Sequence, residues 1–267
     1  MFKAIASDVR EMVQEQVTYR ELLVQMTLRD LMLRYKQTVM GFGWAIFMPL
    51  LNTLIFSVMF TRVAHLDTGM PYPLFAYCGL LMWNFFASSL RFALASLTSN
   101  TSLVTKVYFP REIFPFSAVF VSLVDLLVGA TLLVAMMIYY RVEVTSAIFF
   151  LPVVLAVHIA FTAGMALLLA MWNLFYRDVK YLFEVILMLW MFASSVVYPV
   201  GLVGGKLGAV LQLNPMTLII DAYRNVLLEG RLPAPGAFAA AAALSFATLI
   251  YGWVTFHRAE FEFAENV

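Results

Sequence analysis

Six stretches of this 267-residue chain are long enough and apolar enough to leave water altogether. They run over about 41–60, 72–92, 113–140, 147–175, 182–201 and 236–256. Each is close to the ~20 apolar residues that a helix needs to cross a bilayer. In hydrocarbon the backbone N–H and C=O groups have to be satisfied within the segment, so such runs fold as α-helices. The predicted fold class is an all-α membrane protein with six transmembrane helices. Of all residues 63% are hydrophobic and 12% charged, against roughly 25% charged in a soluble domain. The formal net charge of +1 lacks the basic excess that phosphate neutralisation requires, which argues against a nucleic-acid partner. Cys78, the single cysteine, excludes an intrachain disulfide or a CxxC metal site and reads as an inert buried thiol.

An even number of spans leaves both termini on one side. Twelve of the seventeen lysines and arginines fall in 1–40, 91–112, 176–181 and 257–267 or at their borders, and five fall in the opposite loops. The positive-inside rule therefore puts both termini in the cytoplasm. No cleavable leader is visible: the first 36 residues are charged and have no apolar h-region. The chain divides as one transmembrane domain over 1–267, with an amphipathic interface helix at 1–38, six spans at 41–256 and a cytoplasmic tail at 257–267.

On a helical wheel the N-terminal helix has two apolar stripes. Val17, Val24, Leu28, Leu31 and Tyr35 make one, and Tyr19, Leu22, Met26 and Leu33 the other, with charges between them. Such a helix suits a place between lipid and a second protein surface, the partner's or its own. Between spans five and six the uncharged run Leu207 to Ile220 is too short to cross and too apolar for a solvated loop. Broken at Asn214-Pro215, it reads as a re-entrant helical pair. Asp221 to Glu229 then reads as a short polar-faced helix at the outer surface, stopped by Gly230.

Signs of enzyme chemistry are missing. Gly205-Lys206 lacks the upstream glycine of a P-loop, and the three histidines form neither HExxH nor a ligand cluster. Energy for work would come from a partner ATPase or an ion gradient, so no cofactor is expected in this chain, ATP and Mg²⁺ residing on the partner. The first cytoplasmic loop, Asn100 to Glu112, is the candidate for receiving that energy: Val107, Tyr108 and Phe109 could insert into a cleft of a soluble subunit, with Lys106 and Arg111 on its rim. The alternative is an interfacial helix meeting anionic lipid. Asp125 and His158 are titratable groups near the midplane; the pair reads as a proton relay or, for Asp125, as a structural hydrogen bond. Trp44, Phe47, Trp83, Phe86, Trp190 and Tyr198 could line a glycan path by stacking on sugar C–H faces, or could simply pack.

One resemblance organises these readings. Leu33-Arg34-Tyr35-Lys36-Gln37-Thr38, followed by Gly41, Trp44 and Pro49, resembles the opening of the ABC-2 type permeases of polysaccharide exporters. The likeness continues through Phe109 to Glu112, Tyr176 to Val179, Tyr198-Pro199, and Asn214-Pro215 with Arg224. It is greatest to the O-antigen and teichoic acid exporter branches. It implies a homodimer in the cytoplasmic (inner) membrane, bound to separate ATPase subunits and moving lipid-linked polysaccharide outward. It also implies ATPase coupling at Asn100, Lys106 to Glu112 (including Pro110), Arg177 and Asp178. Asn214, Pro215 and Arg224 would form the outer gate. Arg29, Arg34, Tyr35 and Lys36 are candidates for meeting the lipid head group at the entrance. Other cargoes (a drug, a simple lipid, a capsule polymer), a proton-coupled carrier and a membrane glycosyltransferase are the competing expectations.

Overall fold

The computed structural model describes residues 12–36, 38–63, 69–199, 201 and 203–263; these are predominantly helical and include no β-strand. Helix α1 (Arg20–Tyr35) continues a helical stretch over 12–18. It is followed by α2 (Gly43–Val58), which a π-helical turn at Met59–Val63 extends, and by α3 (Tyr72–Ser96). The short α4 (Thr101–Lys106) leads to α5 (Ile113–Tyr139) and, through a 3₁₀ turn at Ser146–Phe150, to α6 (Leu151–Phe175). Then come α7 (Val179–Phe192), α8 (Gly205–Gln212), α9 (Pro215–Leu227) and α10 (Pro235–Ala259). Proline occupies the first or second position of α3, α6, α9 and α10, where its missing N–H costs no helical hydrogen bond.

Five helical segments among the described residues are long and apolar enough to cross a membrane: Gly43–Thr61, Tyr72–Ser96, Ile113–Tyr139, Ser146–Phe175 and Pro235–Glu262. They coincide with five of the six predicted spans. The sixth expectation, 182–201, differs. There α7 has 14 residues and gives way to turns at 193–198. At 1.5 Å per residue α7 is about 21 Å long, so a crossing of the ~30 Å hydrocarbon core here takes α7 together with the turns at 193–198 and not a continuous helix over 182–201. The stretch after it forms two short helices, α8 and α9, that meet at Asn214-Pro215. Helix α9 runs unbroken across the border at Ile220-Asp221 where a separate surface helix was expected, and its Arg224 is buried.

The centre of the bundle is α3 and α6, each buried over most of its length. Helix α5 packs along α3, and α10 along α6. The α6–α10 contact is close because both helices carry glycine at the crossing. A Cβ on Gly164 would sit 2.6 Å from the Leu249 nitrogen, and one on Gly252 would sit 2.5 Å from the Gly164 carbonyl oxygen. Small residues of this kind let helix backbones approach inside a bilayer.

Helix α1 runs beside α5. Its Tyr19, Leu22 and Met26 pack on a core formed by Val104, Phe109, Phe114, Leu174, Phe256 and neighbouring residues. Val17, Val24 and Leu28, on the other stripe, stay 57%, 54% and 44% exposed. One of the two predicted apolar faces thus covers the chain's own core, and the other is open at Val17, Val24 and Leu28 but partly buried at Leu31 and Tyr35. Leu33 departs from its stripe and is exposed.

Candidate functional site: a polar cavity within the helix bundle

A cavity of about 400 Å³ opens where α1, α2, α3 and α5 converge. Each helix brings residues of one face. Asn84, Ser88 and Arg91 of α3 follow one another at i, i+4 and i+7; Ser122 and Asp125 of α5 stand at i and i+3. Helix α2 contributes Trp44, Pro49 and Asn52. Pro49 has no N–H to give to the carbonyl of Ala45 one turn earlier, and both residues line the cavity. The last turn of α1 supplies Arg34 and Tyr35.

Asp125 organises the inner wall. One carboxylate oxygen is 2.5 Å from Nη1 of Arg34, and the other accepts the hydroxyl of Tyr35. Burial, reinforced by the bond to Asp125, pushes the Tyr35 phenol above its ordinary value, so it stays protonated and remains a donor. The Arg34 guanidinium also lies 4.1 Å from the centre of the Phe92 ring. Arg91, at the rim, is held by Glu184 of α7 through Nε and Nη2 at 3.0 to 3.2 Å. Other residues have no side-chain partner. The Ser122 hydroxyl is fully buried and unpaired, and the side chains of Asn52, Asn84 and Ser88 make no hydrogen bond among the described residues.

Four residues singled out from the sequence meet here: Arg34, Tyr35, Trp44 and Asp125. Phe47 stacks edge-on against Trp44 at 5.7 Å. Five more (Asn52, Asn84, Ser88, Arg91 and Ser122) were missed, although polar residues repeating every three to four positions in an apolar span are a readable signal. Trp83 and Phe86 lie inside the bundle. They are 4% and 0% exposed and pack with each other, with Phe161 and Trp190 contacting Phe86, because this face of α3 turns to α6 and α7. His158 does not join Asp125. Its ring packs edge-on against Phe85 and Tyr223, and neither ring nitrogen has a partner. Arg29 is paired with Asp30, whose other oxygen accepts from Ser117, while Lys36 is exposed.

The turn after α7 is a second polar cluster. Arg224 is 3% exposed and donates to the carbonyls of Ser195 (2.5 Å), Val196 (2.7 Å) and Phe75 (3.3 Å), with Asp221 at 3.2 Å. The Asn214 amide donates to the Ala193 carbonyl and the Ser194 hydroxyl, both at 2.8 Å, and its oxygen accepts from Trp190 and from the N–H of Met216. Tyr72 donates to the Val197 carbonyl, and Tyr198 to that of Phe192. Asn214, Arg224 and Pro215 therefore fix one turn against α3 and α9.

In the loop between α3 and α5 the predicted contact residues separate. Lys106, Val107 and Tyr108 are exposed, Tyr108 by 87%, as are Arg177 and Asp178 in the next loop on that side. Phe109 and Pro110 are buried, Phe109 against Phe114. Arg111 binds Glu260 at 2.9 Å, and Glu112, fully buried, lies 3.0 Å from Nδ1 of His257. Phe109 and Arg111 thus face the chain's own core rather than a partner's cleft. Asn100 is partly buried and donates to the Ser96 carbonyl.

The fold and its cavity define a multi-pass helical membrane protein with charged and amide groups held among its spans. The sequence model of the ABC-2 type transporter family matches residues 21–228, and the chain belongs to that family. The O-antigen export system permease protein RfbA of Myxococcus xanthus is 30% identical over 96% of this chain and 99% of its own length. A protein of the same name from Klebsiella pneumoniae is 28% identical over 92% of this chain and 94% of its own.

Proposed function

We propose that this chain is the membrane-spanning permease subunit of an ATP-driven exporter of lipid-linked, O-antigen-like polysaccharide. The observation that carries the reading is a likeness, over 96% of this chain and 99% of the relative's length, to a protein named for O-antigen export. A polar cavity among the spans supports it, because polar and charged groups within a membrane-spanning bundle are costly and mark functional sites.

In this reading a separate ATPase subunit supplies ATP and Mg²⁺ and docks on Lys106, Val107 and Tyr108, with Arg177 and Asp178 beside them. Asn100, Phe109, Pro110, Arg111 and Glu112 form the support behind that surface. Closure of two ATPase subunits then moves α4 and, through the Arg111–Glu260 and Glu112–His257 contacts, the end of α10. Two permeases pair in the cytoplasmic membrane with their termini inside. Apolar side chains left open on α2 and α7, among them Leu54, Ile55, Val185 and Leu189, suit lipid and a second copy. The short α7 with α8 and α9 acts as the re-entrant outer gate, braced at Asn214, Pro215 and Arg224.

Depletion of the chain in its own host tests the reading. Lipid-linked polysaccharide should accumulate at the inner leaflet and surface polysaccharide should fall, with both reversed on re-expression. Unchanged polysaccharide with accumulation of a drug or a simple lipid would overturn it.

A further inference from the structure

We infer that the cavity between α1, α2, α3 and α5 is a subsite for a neutral sugar ring of the transported chain, and not for its phosphate. The inference rests on the polysaccharide reading above and adds which part of the substrate sits there.

The argument is an inventory of hydrogen-bonding capacity. A phosphate site needs cations or fixed N–H donors with charge to spare. Each cation of the cavity already faces a carboxylate, Arg34 that of Asp125 at 2.5 Å and Arg91 both oxygens of Glu184, so neither has net charge to spare, although Nη1 of Arg34 makes no directed hydrogen bond. Asp125 in the wall repels an arriving anion. Among the described residues, the neutral groups of the lining that both donate and accept and are unengaged are the amides of Asn52 and Asn84 and the hydroxyls of Ser88 and Ser122. Each of these both donates and accepts, as sugar hydroxyls do. A hydroxylated ring can therefore satisfy them without transferring net charge into the membrane.

Geometry agrees with chemistry. The four groups come from α2, α3 and α5, so they surround the space rather than crowd one wall. Trp44 and Phe85 add aromatic surface for the apolar C–H face of a ring. The volume, about 400 Å³, lies within the roughly 300–1,000 Å³ of small-molecule sites. The Ser122 hydroxyl, buried and unpaired, is the strongest single sign, since a serine in a helix ordinarily bonds the carbonyl one turn back when nothing better is offered.

The test uses the permease–ATPase complex in lipid nanodiscs and saturation-transfer NMR. The probes are the host's own glycan freed of lipid and phosphate, and inorganic pyrophosphate. The wild type should bind the glycan, excess pyrophosphate should not displace it, and Asn84→Leu and Asn52→Leu should each weaken it about tenfold. Co-purification of the ATPase checks that each variant is folded. Displacement by pyrophosphate, absence of glycan binding to the wild type, or unchanged binding in both folded variants would overturn the subsite. Wild-type export, measured in parallel, judges the broader reading separately: export with no effect of either substitution rejects the subsite alone, and no export rejects the reading itself.

Discussion

Two polar clusters lie within the helix bundle, and they use their charges in opposite ways. Around Arg224 the guanidinium donates to three backbone carbonyls and to Asp221 and lies over the Phe75 ring, 3.5 Å from its centre, with only Nε left unpartnered although Arg224 and Asp221 border a cavity of about 810 Å³. Around Asp125 the carboxylate is paired with Arg34, but the amides and hydroxyls beside it are not engaged, and the space they border is open. A charge wrapped in backbone holds a turn in place and cannot trade partners without losing the turn. A charge beside unused donors and acceptors can keep its own partner while a ligand takes the rest. Under the proposal above, the first cluster is architecture and the second is the surface that meets the substrate.

Arg224→Ala should separate the two most sharply. It leaves the carbonyls of Ser195 and Val196 without their donor and Asp221 without its cation, and should cost about 3–5 kcal/mol. Thermal unfolding in detergent should show stability and export falling together. The contacts beneath the loop between α3 and α5 belong to the closed kind as well. Arg111→Glu should cost about 2 kcal/mol by setting a third carboxylate beside Glu260 and Glu112. Adding Glu260→Arg should restore a good part of that loss, which a double-mutant cycle measures.

Asp125→Asn belongs to the other class. The Arg34 and Tyr35 side chains keep a hydrogen-bonding partner, so stability should fall by about 1 kcal/mol while export drops much further. If export tracked stability there, the contrast between the clusters would be lost. Tyr108→Ala should be the mildest for the fold, within about 0.5 kcal/mol of wild type, because the ring is exposed. Its effect should appear as weaker retention of the ATPase during purification.

The spans were legible because length and apolarity decide them. The expectations 72–92, 113–140 and 236–256 differ from Tyr72–Ser96, Ile113–Tyr139 and Pro235–Ala259 by at most four residues at an end. The fifth was overextended, since composition alone does not reveal that Arg224 and Asn214 capture the carbonyls of 193–196 and end α7 as a turn. The motif residues Asn214 and Arg224 were visible in the sequence, but what they hold was not. The cavity was half legible. Asp125 stood out as an acid in a span, whereas Asn52, Asn84, Ser88 and Ser122 are individually unremarkable and meet only when α2, α3 and α5 pack. The burial of Trp83 and Phe86 was not legible for a related reason: aromatic content does not say which side of α3 faces its neighbours. On the loop, Phe109 to Glu112 matched the family pattern, yet the pattern cannot tell a contact from the scaffold beneath it.

Reconstitution into proteoliposomes tests the central claim most directly. Lipid-linked polysaccharide should cross the bilayer only when the permease, its ATPase and ATP are all present, and Asn84→Leu should slow the crossing without slowing ATP hydrolysis in proportion. Translocation by the permease alone, or translocation by the complex that is indifferent to the cavity, would contradict the account.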